Sequence, residues 1–279
     1  MKKNMQTIVL ALAICTLNVS CSIAQNQDRK VHISNETSLT NKTPELLSIT
    51  GNSDKTATDQ INDAQKEKKT VLLVVYKKLD EAKDKALKIA NETSVIKAET
   101  IEVIEMNASE SENIELVKKF RLAGAPMPII IIIDKNGIPV GGLPLAQATA
   151  DALLDIIPSP KYSEVLKALN EKKSIFVVAY KKTMNGKSKA IDVCKEAVTK
   201  IKDNAIILEL NIDDKSEIKL INELKVNILS PEPVIYVINQ QGQITDTFTG
   251  SSTSDELVVA AKKVISGGCC PDGSKKGGC

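Results

Sequence analysis

Five consecutive isoleucines, Ile129 to Ile133, constrain this chain more than any other stretch. Side chains of a strand alternate between its two faces, so an unbroken apolar run needs cover on both sides. That requirement describes a central strand between layers of helices. Pro128 stands immediately before the run, where a strand best tolerates proline. Asn136-Gly137 then turns the chain into a second short strand over 138–142. A near copy follows: Pro233 lies 105 residues after Pro128, and Gly242 lies 105 after Gly137. Tyr180-Lys181-Lys182 repeats Tyr76-Lys77-Lys78 at a spacing of 104. The chain is built from two units of one design.

Periodicity fills in each unit. In the first, helices are expected over 59–68, 80–93, 111–120 and 147–157, with strands over 70–76 and 101–106 ahead of the isoleucine strand. The helix at 80–93 carries an apolar stripe of Ala82, Ala86, Leu87, Ile89 and Ala90. The helix at 111–120 is expected to turn Ile114, Leu116, Val117 and Phe120 inward, with Ser109 and Glu112 able to form a capping box. Pro158-Ser159-Pro160 ends the unit. The second unit repeats the order: helices over 162–170, 187–201, 216–224 and 254–265, and strands over 174–180, 205–210, 233–238 and 244–248. The last helix is expected to bury Leu257, Val258, Ala261 and Val264. Parallel strands need helical crossovers, whereas the tightly joined last pair must run antiparallel. The fold class is therefore α/β, each unit a small mixed sheet with helices on both faces. Aromatic residues make up only 3% of the chain, so the cores must be aliphatic.

Each unit resembles a thioredoxin-like domain, over residues 58–158 and 161–266. That family places a cis-proline before its central strand, which Pro128 and Pro233 match, and a glycine turn in its last hairpin, which Gly137 and Gly242 match. The resemblance implies a Cys-x-x-Cys pair after the first central strand, where a helix start lowers the pKa of the first thiol and the second resolves the mixed disulfide. The chain departs from the pattern there. The first unit reads Tyr76-Lys-Lys-Leu-Asp-Glu-Ala-Lys83 and the second Tyr180-Lys-Lys-Thr-Met-Asn-Gly-Lys187, without cysteine in either. Met184 stands about where the attacking thiol would be, and a thioether cannot exchange a disulfide. Cys194 falls inside the long helix of the second unit, on an apolar face, and reads as an inert buried thiol.

The ends read differently. Residues 1–24 have the form of an export signal, with Lys2 and Lys3 ahead of an apolar core too short to span a bilayer comfortably. Cleavage after Ala24 is one outcome; lipidation of Cys21, preceded by the small Ser20, is the other, although Asn18 suits a lipobox poorly. Both take the mature chain out of a bacterial cytoplasm, to the periplasm or a lipid-anchored place on the cell envelope. Residues 25–57 are a polar tether holding the single histidine, His32, which suits a linker surface better than a ligand set. Residues 267–279 form a glycine-rich tail with Cys269, Cys270 and Cys279. Three thiolates there suit a soft cation, Cu(I) or Zn(II). A loop disulfide with one thiol left over, a cross-link to another chain and a mobile redox shuttle are alternatives.

Several function classes drop out. Without Lys2 and Lys3 the basic and acidic residues balance, which argues against a nucleic-acid surface. One histidine leaves no material for a Ser/His/Asp set or a His-rich zinc site, and no glycine-rich phosphate loop is present. The expectation is a non-catalytic exported module whose proline loops and repeated Tyr-Lys pairs (Tyr76, Lys77, Pro128, Tyr180, Lys181, Pro233) meet an envelope protein or peptide. Contact with a membrane is expected only through Cys21.

Overall fold

The computed structural model describes residues 55–265, and the isoleucine run is strand β3 (Ile129–Ile133) at the heart of the first sheet. The first unit comprises α1 (Ala57–Lys66), β1 (Thr70–Tyr76), α2 (Glu81–Ile96), β2 (Ile101–Asn107), α3 (Ile114–Lys119), β3, β4 (Pro139–Pro144) and α4 (Ala150–Ile156). The second repeats it with α5 (Pro160–Asn170), β5 (Ser174–Tyr180), α6 (Lys187–Lys200), β6 (Ala205–Asn211), α7 (Ile218–Glu223), β7 (Val234–Ile238), β8 (Ile244–Thr249) and α8 (Ser254–Lys262). The sheet orders are β2-β1-β3-β4 and β6-β5-β7-β8. In each sheet the first two strands pair in parallel, and the third is antiparallel to the first and to the fourth.

Alternation along the continuous apolar strands builds two layers per unit. Ile129, Ile131 and Ile133 join Val71, Leu73 and Val75 beneath α1 and α3, with Ile61, Ala64 and Leu116 as cover. Ile130 and Ile132 join Leu72 and Val74 beneath α2 and α4, with Ala86, Ala90 and Leu153 above them. The second unit copies this. Ile175, Val177 and Tyr236 face α5 and α7, and Phe176, Val178 and Ile235 face α6 and α8. Burying one such aliphatic side chain stabilises by about 1.5–3 kcal/mol, so the pattern specifies strand register as well as strand existence. The edge strand β4 carries Gly141, where a Cβ would come within 2.9 Å of Ile156 Cγ2. The glycine is what lets α4 lie close over this edge.

The hairpins share one device. Asp134 accepts from the backbone N–H of Asn136 and of Ile138, both at 2.9 Å. Its counterpart Asn239 accepts from Gln241 at 3.0 Å and Gln243 at 2.9 Å. Gly137 and Gly242 take the left-handed conformation at φ 80° and 79°.

Five expectations need correction. The stretch at 111–120 begins with a 3-10 turn, Ser111–Asn113, and this rotates Ile114 outward to 46% exposure. The Ser109–Glu112 box does not form, because the Ser109 N–H is taken by Asn107 Oδ1 at 3.0 Å in a local turn. Val264 is 62% exposed, because α8 stops at Lys262 after a capping box at Thr253 and Glu256. Ser159 opens α5 as its N-cap, accepting from the Tyr162 N–H, so the Pro158-Ser159-Pro160 stretch starts a helix as well as ending one. The first turn of α1 likewise reaches back into the stretch read as tether, with Thr56 as its cap. Residues 1–54 and the tail from 266 on, including Cys21, Cys269, Cys270 and Cys279, lie outside the described residues. No described helix is long and apolar enough to cross a membrane.

Candidate binding surface

The ends of β1 and β5 carry a duplicated three-residue clasp. Lys187 Nζ lies 3.8 Å from the Tyr180 ring centroid and 2.8 Å from the Glu209 carboxylate. Lys83 Nζ lies 5.6 Å from the Tyr76 ring and 2.7 Å from Glu105. The glutamates come from the neighbouring parallel strand, opposite Val178 and Val74. The carboxylate beside each lysine, and to a lesser degree the tyrosine, holds the ammonium pKa above its ordinary value. These lysines stay charged at neutral pH. The clasp ties strand end to helix start in both units, and it covers one face of each tyrosine.

Beyond the clasp the units differ. In the first, α2 starts on Asp80, whose carboxylate accepts from the Lys83 N–H at 3.1 Å, and Glu81 and Asp84 add negative charge to the first turn. Lys77 is exposed, Leu79 is 79% exposed, and Pro128 is buried behind them. In the second, α6 starts on Gly186 at φ 85°, with no capping side chain. The loop before it folds on Met184. The Met184 N–H donates to the Lys181 carbonyl at 3.0 Å, and the Lys181 N–H donates back to Met184 Sδ at 3.2 Å. Across from it, the Ser230 hydroxyl donates to the Glu232 carbonyl at 2.6 Å, and the Glu232 N–H donates to Ser230 Oγ at 3.3 Å. The two loops enclose an open cleft of about 630 Å³, walled by Lys181, Met184 and Asn185 on one side and Ser230 and Glu232 on the other. Ile228 and Leu229, on the segment leading into Ser230, are 52% and 85% exposed.

Of the six loop residues named from sequence, Lys181 lines the cleft, and Pro233 sits buried behind Gly186. Tyr180 and Tyr76 are half-buried under their lysines. The Met127–Pro128 peptide is cis, but the Glu232–Pro233 peptide is not, contrary to the expectation for Pro233. The hydroxyl turn of Ser230 sets the path into β7, and the first unit has Ala125 at that place. Sequence reasoning missed Lys83, Lys187, Glu105 and Glu209. Their matching spacing of 104 was the available signal.

Cys194 is the one cysteine among the described residues. It is fully buried in the layer under α6 and α8, and burial pushes its thiol up to about 12. Among the described residues no three His, Cys, Asp or Glu side chains converge to hold a metal ion.

No protein-family profile matches the chain, and no curated protein is recognisably similar in sequence. Among solved structures it is similar to the first two thioredoxin domains of Saccharomyces cerevisiae Eps1p, at 14% identity over 75% of this chain and 96% of that one, TM-score 0.28. It is also similar to the NTD_N/C domain of alkylhydroperoxide reductase AhpF from Enterococcus faecalis, at 18% identity over 73% of this chain and 98% of that one, TM-score 0.25. A third is the zinc-bound form of human ERp44, at 13% identity over 73% of this chain and 57% of that one, TM-score 0.33. The strand orders and directions described above are those of two thioredoxin-like domains in tandem.

Proposed function

We propose that the chain is a non-catalytic exported bacterial protein, a binding or scaffolding module of the cell envelope that holds an extended peptide or protein segment in the cleft of its second unit. One observation carries the reading. At the pole where a thioredoxin-like domain would display its thiols, the second unit displays an open cleft walled by Lys181, the Met184 thioether, the Asn185 amide, Ser230 and Glu232. Its one thiol is buried in α6 and stays protonated at neutral pH. Exposed Ile228 and Leu229 beside the cleft offer apolar contacts of the kind that anchor partner segments. The near-neutral charge directs the module to proteins rather than nucleic acid. Attachment to the membrane would come through lipidated Cys21.

The test is a displayed peptide library selected on the full chain, with recovered peptides titrated against the protein and an Asn185→Trp variant. Asn185 is exposed on the cleft wall, so the indole fills the cleft without touching a core. Affinity falling by tenfold or more in the variant supports the reading. Equal affinity removes the cleft from it.

A second reading has its own observation. Cys269, Cys270 and Cys279 fall close together in the tail, a soft-donor set for Cu(I) or Zn(II). Stoichiometric metal uptake lost in a chain ending at Ser266 would support it. Insulin reduction lost in the same truncation would instead support a thiol oxidoreductase working through the tail.

A further inference from the structure

We propose that Met184 is a stereoselective oxidation site, at which a hydroperoxide places a single sulfoxide oxygen into the cleft. Three methionines lie among the described residues, and their surroundings differ. Met106 is 1% exposed inside the layer under α1 and α3. Met127 is half-buried and packs against that same layer. Met184 is half-buried too, but it belongs to no core layer and lines a cleft open to solvent, from which a small oxidant would approach. Oxidation of methionine follows such access.

The hydrogen bond decides the stereochemistry. A thioether sulfur has two lone pairs, on opposite faces of its C–S–C plane, and oxygen on one face or the other gives the two sulfoxide epimers. The Lys181 N–H donates to Sδ at 3.2 Å, and a single N–H engages one lone pair and so one face. An oxygen on that face would have to stand between sulfur and nitrogen, where the hydrogen bond leaves no room for it. The reciprocal bond from the Met184 N–H to the Lys181 carbonyl holds the loop in this closed form. Attack is left to the other face.

In the reaction the free lone pair of sulfur attacks one peroxide oxygen, and the O–O bond breaks. The departing oxygen takes up the proton and leaves as water or an alcohol. Sulfur loses two electrons, and the peroxide is reduced by two. The product carries a strong acceptor on the cleft side, where the thioether offered a soft apolar surface. The cleft thereby changes from apolar-tolerant to donor-seeking. That consequence for binding rests on the function proposed above, but the modification itself does not.

The experiment needs no partner. The full chain is treated with hydrogen peroxide in molar excess over its sulfur atoms, sampled over time and digested, and sulfoxide is quantified at Met106, Met127 and Met184 by mass spectrometry. Samples of the oxidised protein are denatured and treated with reductases specific for each sulfoxide epimer. Met184 is expected to oxidise first, on the order of tenfold faster than Met106, and one reductase is expected to restore nearly all of it. Oxidation in urea should erase both preferences, and Met184→Leu should remove the signal. Near-equal amounts of the two epimers at Met184 in the folded chain would overturn the proposal. So would oxidation of Met184 no faster than of Met106.

Discussion

The first unit closes its strand-to-helix loop with the carboxylate of Asp80, whereas the second has Met184 at that place, starts its helix two residues later on Gly186 and opens a cleft beside it. Around this difference almost everything is held constant. The Tyr-Lys-Glu clasps, the Asp134 and Asn239 hairpins and the two-layer cores recur at spacings of 104 or 105. The contrast teaches where each kind of constraint acts. Residues that tie strand to strand or strand to helix are kept because moving one disturbs both layers. Loop residues beyond the clasp are free to differ, and they differ where β1 and β5 hand over to their helices.

The largest effects should show whether the two cores are energetically alike. Ile130→Ala and Ile235→Ala each empty a buried site on the α2/α4 or α6/α8 face. Each is expected to cost about 2–5 kcal/mol in urea unfolding. Hydrogen exchange read by peptide should show the loss confined to the substituted unit. Loosening of both units by either change would mean the repeats fold as one body.

A second pair probes a position where the copies diverge inside. Glu217 is 3% exposed and accepts from the Ser159 hydroxyl and from the Lys161 N–H, securing the start of α5. Its counterpart Asn113 is 2% exposed, and its Oδ1 has no partner. Glu217→Ala strands a buried donor and should cost about 1–3 kcal/mol. Asn113→Ala gives up the bonds its amide donates to the Asn107 carbonyl and to Glu110 Oε2, but it also removes an unpaired acceptor and should cost less. Equal losses would show that the carboxylate is not what fastens the helix.

Cys194 has Ala90 as its counterpart in the first unit, both fully buried. Cys194→Ala should therefore be tolerated, at a cost of about 1 kcal/mol. It should also change the alkaline limb of stability. Burial lifts the folded thiol from its ordinary 9.0 to about 12. Between those values the unfolded chain releases a proton that the folded chain keeps, so stability falls as pH rises through that window. The alanine variant should lose this part of the decline. An unchanged slope between pH 9 and 11 would mean the thiol is less buried than described.

The smallest effects concern the clasps. Lys187 lies nearer its ring than Lys83 does, at 3.8 Å against 5.6 Å, but the Lys83 side chain is the less exposed of the two, at 15% against 34%. Double-mutant cycles should find the larger tyrosine coupling in the second unit and the larger glutamate coupling in the first. A larger tyrosine coupling in the first unit would show that solvent screening outweighs ring contact.

Much of this was legible from the order of residues. A five-isoleucine run permits only a doubly covered strand, and its copy 105 residues later fixes the repeat. Side-chain direction at helix starts was not legible. A 3-10 turn displaces Ile114 from the inward face that helical spacing predicts, and Ile218, at the matching place after its own 3-10 turn, is exposed too. The path at Pro233 depends on a hydroxyl two residues before Glu232, which proline position alone does not reveal. Burial of Asn113 and Glu217 was hidden because a polar residue at a helix start ordinarily faces water. The cleft depends on loop closure through a thioether, for which single-sequence patterns carry no signal.

The most direct measurement is dithiothreitol-driven insulin reduction by the full chain beside its Cys194→Ala variant, which removes the one cysteine between residues 55 and 265. If the two bodies carry no exchange chemistry, the two proteins give the same rate, whatever the tail contributes. A rate that drops with the substitution would place a working thiol inside the second unit and contradict the account.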